Sequence, residues 1–149
     1  MPGSAKPVSV IEDTAVAPQR LPAYIADMKK MLDGYGLSCV YHAHISTGEL
    51  HLRPVLNLKE EKDRKLFRTV ATKTAELVKK HRGSLSGEHG DGRLRGEFIP
   101  LLLGDKVYSL LKEVKEIWDS PHIFNMGKIV DTPPMDANLR YEQWDLGIC

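Results

Sequence analysis

The hydrophobic and polar positions change period several times along the chain, and each change marks an element. The run "VSVIEDTAV" from Val8 is apolar and β-branched, which predicts a first short strand. From Pro18 the period lengthens: Leu21, Ile25, Met28, Leu32 and Tyr35 recur at spacings of four, three, four and three, one stripe of an amphipathic helix stopped at Gly34 or Gly36. "LSCVYHAHI" and "ELHLRPVL" then read as two strands joined at Thr47-Gly48, a hairpin. Leu66, Val70, Thr74, Leu77 and Val78 share one face of a second helix between Lys59 and His81, ended by Gly83. "SLSGEHG" predicts a fourth strand running into a glycine-rich loop, and Val107, Leu110, Leu111, Val114 and Ile117 mark a third helix.

Strand, helix, strand, strand, helix, strand is the order of a split βαβ unit. The predicted fold is therefore α+β, a ferredoxin-like antiparallel sheet with helices on one face, followed by a C-terminal helix and an extended tail. Residues 1–7 have linker composition, residues 8–130 form the predicted domain, and 131–149, with Pro133-Pro134, form the tail. Two helices leave the second face of the sheet uncovered.

The hairpin decides what that face carries. With Thr47-Gly48 as a two-residue turn, Ser46 pairs with Glu49, Ile45 with Leu50 and His44 with His51. Alternation then places Cys39, Tyr41, Ala43, Ile45, Leu50 and Leu52 under the helices, and Val40, His42, His44, His51 and Arg53 on the open side. Directly opposed residues have Cβ atoms roughly 4.5–5.5 Å apart, so two imidazoles can share one metal ion. Two histidines do not complete a metal site, and the missing carboxylate is supplied most simply by Glu88, beside His89 in "SGEHGDG". The same histidines also read as ordinary exposed polar residues, and the glycine loop as a decorated turn. That loop lacks the Lys-Ser/Thr ending of a phosphate loop and the spacing of GxGxxG.

Composition narrows the classes. A chain of 149 residues suits one domain, and a formal charge of +1 gives no field that would attract nucleic acid or an anionic membrane. No apolar run is long enough for a membrane span and the opening does not read as a signal peptide, so a cytoplasmic protein is expected, peripheral to a membrane at most. Cys39 and Cys149 are too far apart to suggest a disulfide framework or a thiolate metal site.

"IEDTAV", the spacing of His44 and His51, "SGEHGDG" and "IFNMGKIVDTPP" together resemble one family, the C-terminal substrate-side domain of FAD-linked oxidases, over roughly Val8 to Tyr141. That family includes D-lactate, glycolate and D-2-hydroxyglutarate dehydrogenases. The resemblance implies that His44, His51 and Glu88 ligate a divalent metal, zinc or manganese, and that His89 is the catalytic base beside substrate and flavin. It implies that Asn125 and Lys128 approach the FAD, and that Arg53 binds the substrate carboxylate where relatives carry asparagine. Arg53 reads equally as half of a surface ion pair, and Arg93 and Arg95 as solvated loop charges. Relatives have Gly-Asp-Gly-Asn where this chain has Ser46-Thr47-Gly48-Glu49, and proline where it has Met126.

The family binds FAD through an N-terminal domain that nothing in this chain resembles. The resemblance therefore implies a fragment of a flavin-dependent 2-hydroxy-acid dehydrogenase, inactive without that partner domain, and its tail resembles relatives that continue into an iron–sulfur region. A stand-alone ferredoxin-like module that binds a metal or a small acid without catalysis is the competing reading, and a structural remnant with a decayed metal site is a third.

Overall fold

The computed structural model of the protein describes residues 3–139. Its elements are β1 (Lys6–Pro7), β2 (Ile11–Ala15), α1 (Leu21–Gly34), β3 (Cys39–His44), β4 (Glu49–Leu56), α2 (Glu61–Lys80), α3 (Ile99–Leu103) and α4 (Asp105–Trp118). The first strand is thus broken in two, and its opening piece, β1, lies within the stretch of linker composition.

β4 organises the sheet. It runs antiparallel to β3 and to β2, and its far end pairs with β1, Lys6 opposite Leu56. Beyond β2, Ala15 forms a single bridge with Ser84. The spatial order Ser84, β2, β4, β3 is that of the ferredoxin-like α+β arrangement. The predicted fourth strand is reduced to that one bridge, because the amides that would extend a ladder are taken by a side chain described below.

Alternation along β4 separates the two faces. Leu50, Leu52, Pro54 and Leu56 are buried under the helices, while His51, Arg53 and Val55 face the other way. α1 contributes Leu21, Tyr24, Met28 and Leu32 to this core, and α2 contributes Phe67, Val70, Ala71, Ala75 and Val78. Each fully buried aliphatic or aromatic side chain stabilises by about 1.5–3 kcal/mol, so the two stripes are enough to seat both helices on the sheet. The Tyr24 hydroxyl donates to Thr14 Oγ1 at 2.8 Å, satisfying the polar end of a fully buried ring.

α4 departs from that pattern. Its apolar stripe exists, but none of its residues is buried; Ile117 is 78% and Trp118 83% exposed. After α4 the chain turns back, with Val130 buried beside Lys112 and Lys115 of α4, and reaches the core, where Met135 is buried and Arg68 of α2 pairs with Glu97 at 2.8 Å and Asp136 at 2.6 Å. The rest of the predicted tail, 140–149 with Cys149, lies outside the described residues. No helix among the described residues is long and apolar enough to cross a membrane.

Candidate metal and substrate site

An irregularity in β2 starts the site. Glu12 pairs with His51 and Thr14 with Leu50, which leaves Asp13 as the extra residue of a bulge, at a φ of 80°. The bulge lets Ile11 and Thr14, three apart in sequence, both reach the core, and it turns Asp13 toward the segment after Ser84. There its carboxylate accepts hydrogen bonds from Ser86 Oγ and from the amides of Glu88 at 3.0 Å and His89 at 2.9 Å, while its carbonyl accepts from the Gly87 amide at 2.7 Å. These bonds bend residues 86–89 into a turn that carries Glu88 and His89 over the open face of the sheet.

The hairpin meets them there in a corrected register. His44 lies opposite Glu49 and His42 opposite His51, two positions from the expected pairing. The loop has four residues rather than two: Ile45–Thr47 form a 3-10 turn, closed by Thr47 Oγ1 donating to the His44 carbonyl at 2.9 Å, and Gly48 adopts the left-handed conformation. Because side chains alternate with period two, an even shift leaves His42, His44, His51 and Arg53 on the open face. Tyr41, Ala43 and Ile45, expected under the helices, are instead exposed, because β3 is an edge strand with no buried residue and Ile45 lies in the 3-10 turn. His44 and His51 become diagonal neighbours whose rings meet edge to face at 5.0 Å, and His51 stacks on His89 at 5.3 Å.

Three imidazoles converge on one carboxylate oxygen. From Glu88 Oε1, His51 Nε2 is 3.4 Å away, His89 Nε2 3.5 Å and His44 Nε2 3.9 Å. The longer of these exceed a hydrogen bond, and they bracket the separation of about 3.4 Å between ligand atoms around a tetrahedral ion with bonds near 2.1 Å. Glu49 joins the group, its Oε1 3.8 Å from His51 Nε2. One ligand atom from each of His44, Glu49, His51 and Glu88 fits within 4.8 Å of the others, as does a second overlapping set of Asp13, His51, Glu88 and His89. The donors are imidazole nitrogen and carboxylate oxygen, a set suited to zinc or manganese. Two polar atoms here are buried without a hydrogen-bond partner, Glu49 Oε1 and His51 Nδ1.

Charges are arranged around this cluster in an ordered way. Burial alone would raise the Asp13 carboxyl, but hydrogen bonds from Glu49, Ser86 and the two amides outweigh it and hold the group well below the ordinary carboxylate range. The Glu49 carboxyl is raised, first by its hydrogen bond to Asp13 and then by burial and the nearby Glu88 charge. Glu12 is lowered by its hydrogen bond with Arg53 against an opposing effect of burial.

The structure brings four of the residues singled out in the sequence, His44, His51, Glu88 and His89, into one cluster. Arg53 stands at its rim, where its guanidinium makes a two-bond pair with Glu12, both at 2.9 Å. Glu12, His42, His51, Arg53 and His89 line a depression of about 320 Å³. Asn125 and Lys128 lie apart from the cluster, in a groove of about 710 Å³ beside α4 that Trp118 and Phe124 also line. His89 lines both spaces and stands between them.

The remaining histidines, two loop arginines and Cys39 have local structural settings. His81 is buried against Tyr24 and paired with Asp27 at 2.8 Å, and His122 pairs with Glu116 at 2.9 Å. Arg95 donates to the carbonyls of Gly90 and Glu12 and Arg93 to that of Ala137, so both tie loops together rather than standing in solvent. Burial pushes the Cys39 thiol up to about 11, away from metal chemistry. Missing from the sequence reading were Asp13, Glu12 and Glu49. The one signal for the first two was a pair of adjacent acids inside an apolar strand, and for Glu49 its shared parity with His51.

Comparison with known proteins adds an independent line. The family model described as "FAD linked oxidases, C-terminal domain" matches residues 1–129. The chain is 40% identical over 127 residues to a D-2-hydroxyglutarate dehydrogenase of Pseudomonas putida, covering 85% of this chain and 12% of that protein. It is 36% identical over 137 residues to the D-2-hydroxyglutarate dehydrogenase of Escherichia coli, covering 92% of this chain and 13% of the relative. A D-lactate dehydrogenase of Archaeoglobus fulgidus is 27% identical over 128 residues, 86% of this chain and 28% of the relative. The chain thus spans about an eighth of the length of the first two.

Proposed function

Because the chain belongs to the FAD-linked oxidase C-terminal domain family, we propose that it forms the metal- and substrate-binding half of the active site of a flavin-dependent 2-hydroxy-acid dehydrogenase. The observation that carries this reading is the convergence of His44, His51 and His89 on the Glu88 carboxylate beside a depression edged by Arg53. His44, His51 and Glu88 hold a divalent metal, zinc or manganese. When bound, the metal supplies Lewis acidity to the hydroxyl and carboxylate of the substrate.

The chain's own residues do the rest. Arg53, held flat by its pair with Glu12, presents the outer edge of its guanidinium to a substrate carboxylate. His89 accepts the hydroxyl proton at Nε2, the nitrogen that faces the cluster around Glu88. Its Nδ1 is 3.9 Å from Glu12 Oε1, so the imidazolium that forms faces a carboxylate. The groove with Asn125 and Lys128 adjoins His89, and these residues would face an FAD carried by an N-terminal domain, which when bound would supply the hydride acceptor. The product would be a 2-oxo acid, and a downstream iron–sulfur region would supply an onward electron acceptor.

Ligand binding tests the substrate class without turnover. In calorimetric titrations, D-2-hydroxyglutarate is expected to bind the manganese-loaded chain at least about tenfold more tightly than the metal-free chain, and glutarate to gain little from the metal, because it lacks the hydroxyl that completes a chelate. Equal affinity with and without metal would count against the reading.

A further inference from the structure

Building on the metal site just proposed, we infer that Glu49 is a fourth protein ligand, and that the centre therefore needs an ion able to exceed four-coordination, of the manganese type, to keep two positions for a 2-hydroxy acid.

Glu49 is the first residue of β4, directly opposite His44 and two before His51, so all three side chains leave the same face. Its side chain is only 9% exposed. The buried Oε1 accepts no hydrogen bond among the described residues, yet it is 3.8 Å from His51 Nε2 and within reach of the ligand atoms of His44 and Glu88. A buried carboxyl oxygen without a partner is costly, and a cation among the neighbouring ligand atoms, taking the place of the proton that Glu49 shares with Asp13, removes that cost.

The backbone around Glu49 is built to hold the carboxylate there. Gly48 closes the hairpin against Val16, whose carbonyl oxygen lies 1.9 Å from where a Cβ on Gly48 would sit. On the other side a Cβ on Gly87 would lie 2.9 Å from both Cδ and Oε1 of Glu49. Glycine at 87 thus leaves room for the carboxyl group, in a turn that Asp13 fixes.

The consequence for metal choice follows from ligand number. Two imidazoles and two carboxylates fill a tetrahedral zinc site completely, the arrangement of structural zinc, whereas catalytic zinc keeps a position open. An ion with octahedral preference and tolerance for carboxylates retains two positions, enough for the hydroxyl and carboxylate of the substrate.

Cobalt(II) is the probe, since its d–d spectrum reports coordination number. The chain is expected to bind one cobalt with the weak bands of a six-coordinate ion. Glu49→Gln should weaken that binding at least about tenfold and alter the bands. Gly87→Ala should do the same, because the added methyl displaces the flexible end of Glu49 rather than backbone, and the double variant should be no worse than Glu49→Gln alone. Parent-like affinity and spectrum in Glu49→Gln would overturn the assignment while leaving the three-ligand site intact, and intense tetrahedral bands in the parent would overturn the six-coordinate centre. Failure of the parent to bind cobalt, or binding unaffected by Glu88→Gln, would instead remove the metal reading itself.

Discussion

Glu88→Gln weakens manganese or zinc binding by more than about 100-fold while the melting temperature of the metal-free chain stays close to that of the parent. The first half follows from the position of Oε1, which three imidazole nitrogens approach to 3.4–3.9 Å. An amide keeps the shape but loses the negative charge that offsets a dication, and such a loss exceeds the tenfold to 100-fold typical of removing a mere supporting hydrogen bond. The second half follows because the Glu88 side chain is half exposed and its imidazole contacts are 3.4 Å or longer, so the fold does not depend on it. Metal titration with a competing chelator, paired with a thermal melt, reads both. A drop in stability with unchanged affinity would mean that Glu88 is a structural group.

Asp13→Asn is expected to do the reverse, lowering stability by about 2–4 kcal/mol at neutral pH. Asparagine tolerates the left-handed backbone at this position, so the change tests the carboxylate and not the strain of the bulge. The carboxylate is fully buried and accepts from Ser86 and from the amides of Glu88 and His89. An amide replaces one acceptor oxygen with a donor, which faces a donor in turn and leaves both unsatisfied. The pH dependence has a definite sign. The Asp13 carboxyl sits below its ordinary value of 3.8 in the folded chain, so its stabilisation is complete above that value and is lost as pH falls toward the depressed folded one. The gap between parent and variant is therefore constant near neutrality and narrows below about pH 4, a pattern that urea denaturation across pH resolves. A gap that widens in acid would contradict the role assigned to the charged form.

Particular residues show how far the sequence reaches. The stripes of α1 and α2 were legible because a helix on a sheet buries one face, and the apolar spacing records that face directly. The hairpin register was misplaced by two, since Thr47-Gly48 resembles a tight turn and nothing in the composition announces a 3-10 turn over Ile45–Thr47. The open face survived because parity, not register, decides it, whereas Tyr41, Ala43 and Ile45 were assigned a helical cover that the edge strand lacks. The fourth strand failed for a long-range reason: Asp13, more than seventy positions earlier, takes the amides that a ladder would have used. In α4 the periodicity correctly gave an amphipathic helix but says nothing of what meets its apolar side, and in this chain that side stands in solvent. His44, His51, Glu88 and His89 were found through spacing and resemblance. Asp13, which positions Glu88 and His89, and Glu49, which joins the cluster, were not, because neither carboxylate lies in a motif of its own.

Crystals of the chain grown with manganese and measured above the manganese absorption edge give the most direct check on the metal centre. The expected result is one strong anomalous peak enclosed by His44, His51 and Glu88, within bonding distance of their Nε2 and Oε1 atoms. No peak there, or manganese bound only elsewhere on the surface, would contradict the account.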